Sequence, residues 1–205
     1  YTGWYTLSLH DALPISPLEA LLQARRDNLV HVTLGRDPVA ALARLQAEGR
    51  LVADEEPAYY VYEQTWAGGR RLGVFTATAV SDYAQRQVIR HEKVFDSKVQ
   101  GRIALAQATA LTIEPVFLLT KAAISPLLEQ ALAALPATYA FASDFGGHND
   151  LHGLRSRIVR LPASHRLGQA LQAAVARHPL YIADGHHRYH AALKNGQSHV
   201  LAYVV

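Results

Sequence analysis

The run Tyr181–Arg188, YIADGHHR, gathers an acid, a glycine, two imidazoles and a guanidinium where an apolar strand gives way to a helical pattern. These residue types share a chemistry. A glycine after a strand lets the backbone turn sharply, so Gly185 allows a ligand to approach closely. The first turn of a helix presents N–H groups and partial positive charge, which stabilise an anion and phosphate in particular. Arg188 adds a two-pronged donor suited to phosphate oxygens, and His186 and His187 add further donors. Asp184, at the carboxyl end of the strand, is placed to hold Mg²⁺ or to accept a proton. An Asp-Gly pair before a helix is also an ordinary turn and cap, and a histidine there can simply bond within the core. Five such residues in one unbroken run favour a phosphate-type junction.

A second charged run lies upstream. RHEKVFDSK, residues 90–98, holds Arg90, His91, Glu92, Lys93, Asp96 and Lys98. Alone it reads as a solvated loop. Beside a phosphate junction it gains a role, because flanking cations neutralise a transferring phosphoryl group and keep Glu92 ionised. Arg102 faces the same place if the residues after Asp96 are helical. His148, Asp150 and His152 in GGHNDLHG offer metal-ligand types, but without a zinc-binding frame they read more simply as an exposed turn.

The elements that must position these residues are marked by caps and periodicity. Ser16, Pro17 and Glu19 open a helix in capping-box fashion. Residues 28–34, NLVHVTL, read as a strand. Asp37 caps a helix begun by Pro38, with Val39, Leu42 and Leu45 on one face and Gly49 ending it. Residues 58–66 and 70–80 form a hairpin across Ala-Gly-Gly. A helix follows over 96–110, a strand over 115–120 and a capped helix from Ser125. Two strands flank the Gly-Gly-His-Asn-Asp turn. An amphipathic helix stops at Pro179, and strand 180–183, helix 186–196 and strand 198–205 complete the chain. Interleaved strands and helices with at least two hairpins imply an α/β fold with α+β features: a mixed sheet with flanking helices.

Composition bounds the function. The chain has 205 residues, half of them hydrophobic, and a formal charge of +3. No apolar run reaches the ~18 residues of a membrane span. There is no cysteine, which removes disulfides, thiolate metal sites and a thiol nucleophile and fits a cytoplasmic setting. The basic residues are dispersed, so nucleic acid is not an expected partner while small anions are. Oligomeric state is not readable.

Residues 5–15, YTLSLHDALPI, resemble the in-frame translation of a common sequencing adapter. The expectation is a non-native leader over residues 1–15, with 16–205 an internal fragment of one larger α/β domain, truncated at both ends. The strand, DGHHR and small-residue helix resemble the signature of the ParB/sulfiredoxin superfamily, and most closely its free serine kinases. That resemblance implies a kinase acting on a small hydroxylated metabolite, with free L-serine as acceptor, a nucleotide (ATP or ADP) as donor and Mg²⁺ as cofactor. Matched to the upstream HE pair, Glu92 would be the base and Asp184 the second carboxylate. His186, His187 and Arg188 would hold phosphate, with Gly185, His91 and Lys93 beside it. A non-catalytic or NTP-hydrolysing regulatory module is the alternative. Over nearly all of residues 16–205 the chain also resembles domain-of-unknown-function family 1015, through YYVYEQTW, HEKVFDSKVQGRIALAQATALTIEPVFLL and LYIADGHHRYHAAL. That likeness implies a fold rather than an activity.

Overall fold

The alternation in the tyrosine-rich segment forms a hairpin, β1 (Ala58–Trp66) and β2 (Gly69–Ala79), paired from Tyr60↔Phe75 to Trp66↔Gly69. Around it grows an eight-stranded sheet with β3 (Val88–Ile89), β4 (Val116–Thr120), β5 (Tyr139–Ser143), β6 (Leu154–Pro162), β7 (Leu180–Asp184) and β8 (His199–Val204). The order is β3-β7-β4-β8-β2-β1-β6-β5. The β3–β7 and β4–β8 pairs are parallel and the others antiparallel, so the sheet is mixed, as the interleaved pattern implies. The computed structural model describes residues 24–143 and 153–205.

These residues fall into two compact units interleaved along the chain, so no single linker separates them. The smaller takes in residues 24–53 and Val94–Ile113. It holds α1 (Val30–Thr33), α2 (Pro38–Ala47) and α3 (Asp96–Thr109), with Val32, Leu42 and Leu45 as its buried centre. Asp37 caps α2 by accepting from the Ala40 N–H at 2.9 Å, as its sequence implies. Two expectations fail here. Val39 is exposed and leaves Leu42 and Leu45 to make the contact. Residues 28–34 are not a strand but enclose one helical turn. The Asn28 side chain accepts from the Val30 N–H at 2.8 Å, and this unit has no described strand to pair with.

The larger unit, Asp54–Lys93 with Glu114–Val205, contains the whole sheet and α4 (Ser125–Ala134), α5 (Arg166–Val175) and α6 (His186–Lys194). The register places Val61, Val74, Val116, Leu118, Ile182 and Val204 on one face. They share a core with Leu128 of α4, Leu171 of α5 and Tyr189 of α6. Each such burial contributes about 1.5–3 kcal/mol, against ~0–1 for an exposed ion pair such as Arg70–Glu63. Burial therefore decides where the helices sit. The opposite face is aromatic: Phe75 and Phe117 lie 4.9 and 5.6 Å from Tyr203, ring centre to ring centre. The Tyr203 ring covers Gly73, where a Cβ would approach it within 2.6 Å. Ser125 is not the N-cap of α4 but its first residue, and no side chain caps that helix. Among the described residues no helix is long and apolar enough to cross a membrane.

Tyr189 fixes α6 to the chain leaving β2. Its buried hydroxyl donates to the Ser81 C=O at 2.9 Å and accepts from the Ser81 N–H at 2.9 Å. Removing it strands two buried backbone groups. Tyr189→Phe is expected to lower stability by about 1–3 kcal/mol. Urea unfolding followed by circular dichroism measures this, with native secondary structure retained.

Candidate active site at the start of helix α6

β7 carries Asp184 at its last position, and the chain turns into α6 through Gly185. Gly185 has φ +91°, in the left-handed region, and a Cβ there would lie 3.2 Å from both the Arg188 guanidinium and the Val116 Cα. Only glycine meets both demands without strain. No side chain caps α6. Its hydrogen-bond ladder begins with the Tyr189 N–H donating to the Gly185 C=O at 3.0 Å, and the N–H groups ahead of that bond point out of the helix start.

The upstream acid reaches this junction because β3 runs parallel to β7. The pairs Val88↔Leu180 and Ile89↔Tyr181 run parallel, so the chain leaving Ile89 heads toward the same end of the sheet as β7. The contact then closes through His186. The His91 N–H donates to His186 Nε2 at 3.4 Å, and the two rings meet edge to face at 4.5 Å. Nε2 therefore carries the lone pair, and the proton of the neutral ring sits on Nδ1. Nδ1 faces Glu92 Oε2 at 3.4 Å. His186 is 3 % exposed while Glu92 is 59 % exposed, so a buried imidazole holds a solvent-facing carboxylate. Glu92 Oε1 lies 3.8 Å from His91 Nε2.

Asp184, also largely exposed, has Oδ2 held by Arg188 Nη2 at 2.6 Å. Arg188 Nη1 donates to the Pro115 C=O, and its Nε lies 3.9 Å from Glu114 Oε2. The guanidinium thus faces protein acceptors and ties β4, β7 and α6 together. His187 is half-buried on α6 and Lys93 is exposed. Arg102, Asp96 and Lys98 belong to α3 in the smaller unit. His148, Asp150 and His152 lie outside the described residues. Glu92 contacts His186, the first residue of α6, and Asp184 stands two residues before it in the chain, so both carboxylates border the helix start.

Three site participants are not announced by the sequence. Tyr83 packs tilted against Tyr189 at 5.6 Å, and Arg90 lies over the Tyr83 ring at 4.5 Å, anchoring the segment that delivers Glu92. Glu114 and the Pro115 carbonyl receive Arg188. The available signal is an acid-proline pair immediately before a strand.

One cluster of metal-ligand types stands out among the described residues. The ligand atoms of His91, Glu92 and His186 lie within 4.8 Å of one another, a donor set suited to zinc-like ions rather than magnesium. Binding there through His186 Nδ1 would require that nitrogen to give up its proton. Magnesium instead prefers oxygen donors, which the solvent-facing Glu92 and the Asp184 oxygen not held by Arg188 supply.

Burial lowers the His186 pKa from the usual 6.5, and it outweighs the opposing pull of Glu92 and Asp184. The folded chain then binds a proton at His186 less readily than the unfolded chain. Its contribution to stability is complete above 6.5 and is lost as pH falls below that value. Urea midpoints measured from about pH 7.5 down to about pH 5 are expected to fall more steeply in the parent than in His186→Gln. Equal slopes would show a ring whose pKa is the same in the folded and unfolded chains.

No curated protein and no solved structure matches the chain. The sequence pattern of the family described as "Protein of unknown function (DUF1015)" matches residues 16–200. The extended likeness across the β1–β2 hairpin, the Glu92 segment and the Asp184–Arg188 junction is thereby accounted for: the chain belongs to the DUF1015 family.

Proposed function

We propose that this protein is a nucleotide-dependent phosphotransferase, a kinase acting on a small hydroxylated metabolite, with free L-serine as the leading acceptor. One observation carries the reading: two exposed carboxylates, Glu92 and Asp184, come from distant segments to the uncapped start of α6. The resemblance of the DGHHR junction to free serine kinases supports the same chemistry. In this reading the nucleotide phosphates rest on the N–H groups of the first turn beyond Gly185, with His187, His91 and Lys93 as further donors. The acceptor hydroxyl oxygen attacks the terminal phosphorus, the bond from that phosphorus to the nucleotide's bridging oxygen breaks, and Glu92 takes the hydroxyl proton. His186, neutral and buried, keeps Glu92 aimed. Arg188 acts by positioning Asp184 and the turn. Mg²⁺, held by Asp184 with phosphate oxygens, would neutralise the phosphate charge. Catalysis is then mainly positioning and charge stabilisation.

A second reading, a non-catalytic or NTP-hydrolysing phosphate-binding regulatory module, draws on the 2.6 Å pairing of Asp184 with Arg188. Such a pair suits a structural carboxylate as well as a reacting one. Phosphoryl transfer from ATP or ADP to amino acids and other small alcohols, assayed on the full chain, separates the two. Glu92→Gln and Asp184→Asn are each expected to cut turnover by about 100-fold or more while leaving the unfolding midpoint in place. Undiminished turnover in both variants removes these carboxylates from the chemistry. Nucleotide binding with no transfer to any acceptor selects the module.

A further inference from the structure

A concavity in the sheet-bearing unit shares none of its lining with the carboxylate site. It is a cavity of about 610 Å³, within the usual range of small-ligand pockets, roughly 300–1,000 Å³. Val74, Val88, Leu171, Leu180 and Val204 form a buried aliphatic floor. Arg86, Arg177, His178 and His199 also line it, all solvent-exposed, and no aspartate or glutamate does. Neither arginine makes an ion pair among the described residues. The cavity therefore has an aliphatic floor and is cationic at its exposed side, with no acidic side chain in its lining.

The backbone at Arg86 adds an independent sign of a built feature. Its φ and ψ are 56° and 19°, in the left-handed region that a residue with a Cβ adopts only at a cost. The conformation is held by the 3₁₀ turn Tyr83–Gln85, which Asp82 caps through the Ala84 N–H at 2.8 Å, and by the Arg86 N–H donating to the Tyr83 C=O. Asparagine or glycine would meet this geometry more cheaply. An arginine standing there contributes its charge to the cavity.

We infer that this cavity binds a small organic anion with an apolar body, such as an aryl or acyl carboxylate, sulfonate or phosphate. The floor selects the body. Its five aliphatic side chains offer no hydrogen bonds, and the polar side chains that also line the cavity, Tyr59, Thr76, Thr78, Gln87 and Gln172, are half-buried or exposed, so the part of the ligand that meets the floor must be apolar. The unpaired arginines select the charge. The site is separate from the carboxylate cluster: Leu180 begins β7 at the cavity, and Asp184 ends it at the cluster. The inference does not depend on the proposed phosphotransferase reading.

The test uses 8-anilinonaphthalene-1-sulfonate as an apolar anion and N-phenyl-1-naphthylamine as its uncharged counterpart, each titrated by fluorescence into the full folded chain. The sulfonate is expected to bind saturably at one site per chain. Arg177→Ala and Arg86→Asn, the latter chosen to keep the left-handed backbone, should each weaken the sulfonate about tenfold and the amine by less than about twofold. Glu92→Gln should change neither. Unfolding midpoints of the variants should match the parent. Absence of saturable sulfonate binding, equal sulfonate affinity in the arginine variants, or parallel loss of both probes would each overturn the assignment.

Discussion

The candidate site hangs on a very short piece of parallel pairing. Two residues of β3 meet two of β7, supported by the Leu180 N–H donating to the Gln87 C=O at 2.9 Å. Parallel pairing matters because it gives both chains the same direction. Whatever follows β3 then emerges at the same end of the sheet as whatever follows β7, and Glu92 arrives at the start of α6. An antiparallel partner at this edge would send the same acid to the opposite end of the strand. So small a ladder cannot hold the segment alone. Side-chain contacts complete it: Arg90 over Tyr83, Tyr83 on Tyr189, and Tyr189 bonded to Ser81. His186, Tyr189 and His190 fall at helical spacings of three and four, so one face of α6 meets both the Glu92 segment and this aromatic brace. The helix whose uncapped first turn follows Gly185 thereby also holds the Glu92 carboxylate.

Legibility in the sequence followed how local each determinant is. The β1–β2 hairpin is written in residues 58–79 as alternation around Gly-Gly, and α2 as Asp37-Pro38, because those signals act within a few residues. The Asp184–Arg188 junction is equally local, and its strand, turn and helix are where the residue types place them. β3 was not readable. Val88 and Ile89 are extended because Leu180 and Tyr181 lie beside them, and that partner is distant in the chain. Residues 28–34 mislead for the converse reason: their β-branched alternation suits a strand, but a strand needs a partner, and the Asn28 cap commits the backbone to a turn instead.

Within the site, residue types were legible and their partners were not. Arg188 reads from its neighbours as a phosphate donor. Its prongs instead find Asp184 and the carbonyl of Pro115, an acceptor created just ahead of β4's first paired residue. No spacing rule announces a backbone carbonyl 73 residues away. His186 and His187 look interchangeable in the sequence. The helix separates them, sending the first inward and leaving the second half-exposed.

That separation determines what Glu92 can do. A protonated imidazole beside the carboxylate would act as a full counter-charge and compete with an incoming cation or proton. Burial keeps His186 neutral, and the His91 N–H occupies Nε2, so the tautomer is set by backbone rather than by solvent. What remains is a neutral donor at Nδ1, which aims the carboxylate without cancelling its charge. Orientation thus falls to a neutral ring that leaves the Glu92 charge uncancelled, as the proposed role of proton acceptor requires.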